Sequence, residues 1–543
     1  MAAIRSDGPD RMDWNFGDLF DGCAEVLPGD APAVIQGDRM LTWAEFGRRT
    51  NNLAARLRGL GARPDDKVAI YLRNCAEYVE VVGACFKARL VQVNVNFRYL
   101  DEELYYVLEN SDAKFVVFGS EFAEHVAHLH DRLPGVQWIQ VGGDTVDFAI
   151  DLERLAVTGD GAPPDIERSE DDLLFVYTGG TTGMPKAVMW RQGDLWAALG
   201  GGTNVPANRR EKPASPEQHV ENVRRYGPGP RQITACPLMH GTGLFTTIGN
   251  LAGGGCAVLL EKTSFDAEEL WETVQRVRAN SAIVVGDAFA KPMLDALEAN
   301  PERWDLSSLR ILISSGVMWS REVKLGLLRH HPDMSLADMF GSSEAIGFGT
   351  SITSARGDSR TATFRIGPSC KVFTEDHREV KPGSGERGFV ARTGPIPLGY
   401  YKDLEKTART FPTINGVRYS IPGDWCTVEA DGTLNLLGRG SACINTAGEK
   451  VYPEEVEEAL KTHVSVVDAL VFGVEDDKWG QAVTAVVSLA PGAGFDETKL
   501  RECVRASLAG YKTPKRIYPV EKMFRAPNGK ADYKAAADYV GSL

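Results

Sequence analysis

The stretch LLFVYTGGTTGMPK, residues 173–186, decides how this chain is read. Leu173 to Tyr177 is a short apolar, partly aromatic run bounded by turn residues, the pattern of a buried strand. Gly179, Gly180 and Gly183 let the backbone after it turn tightly and bring N–H groups against an anion. The hydroxyls of Thr178, Thr181 and Thr182 add donors, and Lys186 adds a positive charge. Together they make a cradle for a polyphosphate. It is not a Walker loop, because no Gly-Lys-Ser/Thr is present.

Strand-like runs recur around this loop: KVAIYL (67–72), FVVF (115–118), AIVVG (282–286) and RILIS (310–314). Helical segments alternate with them. One starts at Thr42, where Thr42 and Glu45 make a capping box and Leu41 and Phe46 a hydrophobic staple; another covers Cys75–Leu90. Alternation of this kind predicts an α/β fold with parallel-rich sheets. Beyond about residue 375 the texture changes to short strands and turns, with Asp431-Gly432 as a hairpin signal, which predicts a small β-barrel-like subdomain. After Arg439 helix and strand patterns return, so the chain divides into a large unit, 1–438, and a small α+β unit, 439–543. Residues 202–229 are rich in Pro, Asn, Arg and Glu and read as an exposed insertion.

The 543 residues are 43% hydrophobic and 25% charged, ordinary globular usage, with a net charge of −14. An acidic chain is a poor match to a nucleic-acid backbone, so no nucleic-acid partner is expected. The nine cysteines are odd in number and form no C-x-x-C, which disfavours a disulfide framework or zinc site and favours a reducing, cytoplasmic setting. No apolar leader opens the sequence. From Ile233 to Leu260 there is no charged residue, but Pro237, His240 and six glycines make this a buried helix plus strand rather than a membrane span.

Other chemistries fail on context. Gly383-Ser-Gly-Glu-Arg-Gly388 matches G-x-G-x-x-G, yet it lacks the preceding strand and following helix of a dinucleotide site and reads as a surface turn. There is no G-x-S-x-G elbow and no H-E-x-x-H. His125 and His128 read as a solvated helix face. His240, in PLMHGTG, would by itself read as a core histidine.

TGGTTGMPK is similar to the phosphate-loop signature of the acyl-adenylate-forming superfamily, which includes acyl-CoA synthetases, peptide-synthetase adenylation domains and firefly-type luciferases. Six further motifs follow in that family's order. PLMHGTG (237–243) resembles the segment bordering the acyl pocket. SSGVM (314–318) and DMFGSSE (338–344) resemble the adenine-binding strands and loops. PGD (422–424), GRGSACINTAGEKVYPEEVE (438–457) and PNGK (527–530) resemble the ribose-binding, hinge and C-terminal lysine motifs. Departures are Gly180 for Ser, Ala187 for Gly, Pro422 and Ser343 for Thr, Ser441-Ala442 for an acidic pair, and Asn445 for Lys.

The resemblance implies roles residue by residue. Thr178 to Gly183 and Lys186 would cradle the ATP phosphates, with Glu344 and Thr178 holding Mg²⁺. Ser315, Gly316, Met339, Phe340, Gly341, Ser342 and Ser343 would surround the nucleotide. Asp424 and Arg439 would contact the ribose, Lys530 the carboxylate and α-phosphate, and His240 would border the acyl group. Gly448 and Glu449 would meet the thiol tunnel after the small domain turns about Ser441. It further implies an acid–thiol ligase using ATP, Mg²⁺ and coenzyme A; the alternative is an acyl-AMP ligase that loads a separate carrier protein. No Lys or Arg sits in PLMHGTGLF, so an apolar acid is expected. VMWRQGDL, VGDAFAKPM, GRGSACINTAGEKVYPEEVE and RAPNGKADY look like actinobacterial synthetases for steroid side-chain and fatty acids. A homo-oligomer is the expected assembly, with room for peripheral membrane contact.

Overall fold

The computed structural model describes residues 14–180, 183–202, 212–316, 319, 321–355, 357, 363–439, 444–451, 453–524 and 532–543. Side-chain period decides its layers. In the strand Lys67–Tyr71, Val68 and Ile70 join one apolar cluster, whereas Ala69 and Tyr71 join another on the opposite face. Both faces are therefore covered, as a parallel sheet requires.

The first sheet has eight strands. Its parallel part runs through Leu173–Gly180, Val91–Asn94, Lys67–Tyr71, Ala113–Gly119, Gln137–Val141 and Ala149–Asp151. The second has thirteen strands. Its parallel part joins Pro32–Gln36, Cys256–Leu259, Arg231–Thr234, Ser281–Val284, Ile311–Ser315 and Ser335–Ser342. A shared cluster includes Val176 and Val188 of the first sheet, Val34 and Leu259 of the second, and the helices Phe16–Val26, Trp43–Gly59, Ala76–Lys87 and Gly241–Ala252 between them. Further helices cover the outer face of each sheet. The result is a five-layer α/β/α/β/α body.

Local signals hold where they were strong. The helix Trp43–Gly59 starts after Thr42, whose Oγ1 accepts from the Glu45 N–H at 3.2 Å, a cap worth about 1 kcal/mol. The uncharged run 233–260 becomes the buried helix Gly241–Ala252 and the strand Cys256–Leu259. No described helix is long and apolar enough to cross a membrane. The strands expected to form a barrel-like unit are bonded onto the second sheet's edge, with Ala345–Thr353 antiparallel to Ser335–Ser342. Asp431-Gly432 turns between Asp424–Val428 and Leu434–Arg439.

The insertion read across 202–229 differs from that expectation. Residues 203–211 lie outside those described, but Pro216–Tyr226 is a helix capped by Ser215. Its buried His219 donates from Nε2 to the Ala252 carbonyl, 2.7 Å away, and packs edge-on against Trp196. Two buried side chains, His219 and Val223, suffice to dock an otherwise polar helix. The C-terminal part is a separate five-stranded sheet, with helices Pro453–Lys461 and Glu497–Ser507 on one face and Tyr533–Gly541 on the other.

Candidate active site

The glycine-rich motif is a β-hairpin. Leu173–Gly180 pairs antiparallel with Gly183–Arg191, placing Thr178 opposite Lys186 and Gly180 opposite Gly183. Thr181 and Thr182, at its tip, lie outside the described residues. Lys186 Nζ is 3.0 Å from Asp403 Oδ2. Burial works against the Asp403 charge, but the Lys406 backbone N–H and the Lys186 ammonium hold its carboxyl below the usual range. The hairpin is tied to the segment before His240 by Asn94. Its Oδ1 accepts from the Tyr177 N–H at 2.7 Å, and its Nδ2 donates to the Met239 carbonyl. Nothing in the sequence pattern marks Asn94, a buried amide inside the strand Val91–Asn94.

A cavity of about 1070 Å³ opens beside this hairpin. Thr178, His240, Ser315, Gly316, Met339, Phe340, Gly341, Ser342, Ser343, Gly448 and Glu449 all line it. Ser315, the last residue of its strand, pairs with Met339 of the adjacent parallel strand, so this end of the cavity sits at the carboxyl edge of the parallel sheet, where α/β folds bind ligands. Gly316 takes φ +92°, a conformation that favours glycine. Val285, after the strand Ser281–Val284, lines the cavity as well.

Glu344 is placed by three elements. Its carboxylate Oε1 accepts from the Tyr400 hydroxyl at 2.8 Å, its carbonyl accepts from Ser420 Oγ at 2.7 Å, and the Trp190 indole N–H donates to the preceding Ser343 carbonyl at 2.9 Å. Tyr400 belongs to the strand that pairs with Val188, so Glu344 is fixed against the glycine-rich hairpin's own sheet. Asp424, buried, stands directly opposite Arg439 in the antiparallel ladder. The Arg439 side chain, Ser441, Ala442 and Lys530 are outside the described residues.

The C-terminal sheet closes one wall. Gly448 turns with φ +81° and presents Glu449, whose Oε2 lies 3.1 Å from His240 Nε2 and whose Oε1 pairs with Arg98. Burial opposes the Glu449 charge, yet His240, Arg98 and Lys512 outweigh it and hold its carboxyl below the usual range. Nearby, Lys512 Nζ sits 2.5 Å from Glu103 and 2.8 Å from Glu455, and the Ala509 N–H donates to Glu103 at 3.0 Å. Asn96 Nδ2 donates to the Tyr511 hydroxyl at 3.1 Å. Asn96, Arg98, Glu103, Tyr511 and Lys512 went unnoticed in the sequence, because their partners lie more than 300 positions away along the chain.

This two-sheet body, with a glycine-rich hairpin and a small sheet domain over the cleft, is the fold of adenylate-forming enzymes. An amide bond synthetase from Marinactinospora thermotolerans superposes with a TM-score of 0.81 at 23% identity, covering 97% of this chain and 99% of that one. By sequence the chain belongs to the AMP-binding enzyme family, whose main pattern matches residues 20–401 and whose C-terminal domain pattern matches 455–530. It is 41% identical to a 3-oxocholest-4-en-26-oate–CoA ligase of Rhodococcus rhodochrous, over 98% of this chain and 96% of the relative. It is 42% identical to a medium/long-chain-fatty-acid–CoA/3-oxocholest-4-en-26-oate–CoA ligase of Mycobacterium tuberculosis, over 96% of each.

Proposed function

We propose that the protein is an ATP-dependent ligase that converts a hydrophobic carboxylic acid, a fatty acid or a steroid side-chain acid, through an acyl-AMP into its coenzyme A thioester. The observation that carries this reading is the large cavity joining the phosphate hairpin at Thr178 to the loop at Gly448 and Glu449. The names of the Rhodococcus and Mycobacterium relatives support the substrate class.

In the first step a carboxylate oxygen attacks the α-phosphorus of ATP in line, and pyrophosphate leaves. Positioning and charge stabilisation carry such transfers. Lys186 and the hairpin N–H groups hold the phosphates, while Ser315, Gly316 and Met339 to Ser343 hold the nucleotide. Asp424 accepts from the ribose hydroxyls beside Arg439. Lys530 stands between carboxylate and α-phosphate, two anions that repel each other unless a cation separates them. The donor set suits Mg²⁺, which takes oxygen ligands and keeps several waters: one buried carboxylate, Glu344, and one hydroxyl, Thr178. Mg²⁺ bound there would neutralise charge on the ATP phosphates.

In the second step the coenzyme A thiol loses its proton and its sulfur attacks the acyl carbon; the acyl–oxygen bond breaks and AMP leaves. The units 1–438 and 439–543 reorient about Ser441 between steps. With Gly448 and Glu449 against His240, the arrangement described is the one suited to the second step. The eight described cysteines are all free thiols, in keeping with a reducing compartment such as the cytoplasm.

Incubation with ATP, Mg²⁺ and coenzyme A across fatty, aryl and steroid side-chain acids, with AMP and thioester read by mass, tests the reading. Thioesters of fatty or steroid acids are expected. Acyl-AMP with no thioester for any acid would overturn the choice of acceptor in favour of a carrier protein.

A further inference from the structure

The charge of Lys186 is held outside the cavity. Lys186 stands directly opposite Thr178 in the antiparallel ladder, so the two side chains leave the same face of the hairpin. Thr178 is on the cavity wall, whereas Lys186 is not among the residues that form it. The Lys186 ammonium lies instead 3.0 Å from Asp403 Oδ2. Neither side chain is freely solvated, at 26% and 20% exposed, so water screens the pair less than it screens a surface pair.

Asp403 is fixed by bonds that do not involve Lys186. It caps the helix Leu404–Thr410, with Oδ1 accepting from the Lys406 N–H at 2.9 Å. Thr407 Oγ1 donates to the Asp403 carbonyl at 2.7 Å and accepts from the Tyr400 N–H at 2.8 Å, which closes the turn from Tyr400 to Asp403. The other end of that turn carries the Tyr400 hydroxyl that donates to Glu344. One short segment therefore places both the carboxylate suited to Mg²⁺ and the partner of the phosphate-loop lysine. The Lys406 N–H and ammonium also favour the Asp403 charge, so this carboxylate stays ionised when Lys186 leaves it.

Resting on the ligase reading above, we propose that Asp403 is a positioning residue that competes with phosphate for the Lys186 ammonium, yielding it to ATP and taking it back as pyrophosphate leaves. Only the fraction of protein with Lys186 released from Asp403 offers the full phosphate site, so the pair lowers the affinity for ATP and for pyrophosphate alike. For the product this is an advantage: a pyrophosphate that loses its lysine departs sooner and rebinds less, which commits the acyl-AMP to the thiol. The arrangement with Glu449 against His240, suited to the second step, is the one in which Lys186 rests on Asp403.

The test uses Asp403→Asn, which keeps the helix cap, since asparagine caps as well as aspartate, and removes the charge. Binding of magnesium pyrophosphate to the full-length protein is measured calorimetrically, and its inhibition constant in thioester formation is measured separately. Both are expected to tighten about fivefold in the variant, with KM for ATP falling alongside. In a Lys186→Met background the same change is expected to give little of that gain. Equal gains in the two backgrounds would mean that loss of a negative charge alone favours the anion, and would overturn the assignment. Unchanged or weaker pyrophosphate binding in Asp403→Asn would overturn it too. A crystal of the native protein with magnesium pyrophosphate is a check that stands even where the variant fails to fold: Lys186 is expected on the pyrophosphate, and a bound pyrophosphate with Lys186 still on Asp403 would contradict the proposal. Lysine-dependent tightening in Asp403→Asn, with no acyl-AMP formed from any acid, would instead overturn the ligase reading and leave the role of Asp403 in place.

Discussion

Glu449, at the start of the C-terminal sheet, faces His240, at the N-terminus of the helix Gly241–Ala252, with 3.1 Å between Oε2 and Nε2. The carboxylate is buried, and its other oxygen is taken by Arg98. One side chain thus bridges two parts of the large unit and fixes the loop that borders the cavity.

Glu449→Gln should therefore weaken this docked arrangement. Thioester formation from supplied acyl-AMP is expected to slow about tenfold, the usual scale for a close charge-assisted contact, with acyl-AMP formation less affected. Single-turnover measurement of each half-reaction checks this. Equal losses in both would remove the assignment.

The same group sets a pH dependence. Its folded pKa is lowered, so its stabilising contribution is fully present above its ordinary value of 4.5 and is lost as pH falls through the lowered pKa. The gap in melting temperature between native protein and Glu449→Gln should shrink as pH drops below 4.5. A gap that stays constant through that range would contradict the sign.

Lys512 lies between Glu103 and Glu455, and all three side chains are buried. Burial alone would discharge the lysine, but the two carboxylates prevail and raise its pKa. Lys512→Met leaves two buried carboxylates facing each other, a loss of about 3–5 kcal/mol for a broken buried pair. The expected result is faster proteolytic cleavage between the two units and a slower second half-reaction. Unchanged cleavage would show that this contact does not hold them.

Glu344→Gln keeps an oxygen for the Tyr400 hydroxyl, so the fold should tolerate it. Removing the charge should raise the Mg²⁺ concentration needed for half-maximal acyl-AMP formation and lower the rate about 10²-fold. An unchanged Mg²⁺ dependence would place the ion elsewhere.

Lys530→Ala should cost adenylation at least about 10²–10³-fold while sparing acyl transfer from supplied acyl-AMP. Parallel losses in the two half-reactions would contradict the role given to that lysine.

Local signals were readable because they depend on neighbours in sequence. The Thr42 cap, the Asp431-Gly432 hairpin and the strand before the glycine loop all follow from short-range chemistry. The helix Pro216–Tyr226 escaped notice because tertiary packing of only two side chains, His219 and Val223, outweighs a polar composition. Within the site, the motif-borne residues Thr178, Ser315 and Glu449 were legible, whereas Asn94, Arg98 and Lys512 act through partners distant along the chain.

Oxygen transfer tests the central claim most directly. A substrate acid labelled with ¹⁸O in its carboxylate is turned over with ATP, Mg²⁺ and coenzyme A, and the nucleotide product is read by mass. Passage through an acyl-AMP leaves one labelled oxygen on AMP for each thioester formed. Thioester accompanied by unlabelled AMP, or by label in ADP or inorganic phosphate, would contradict the account.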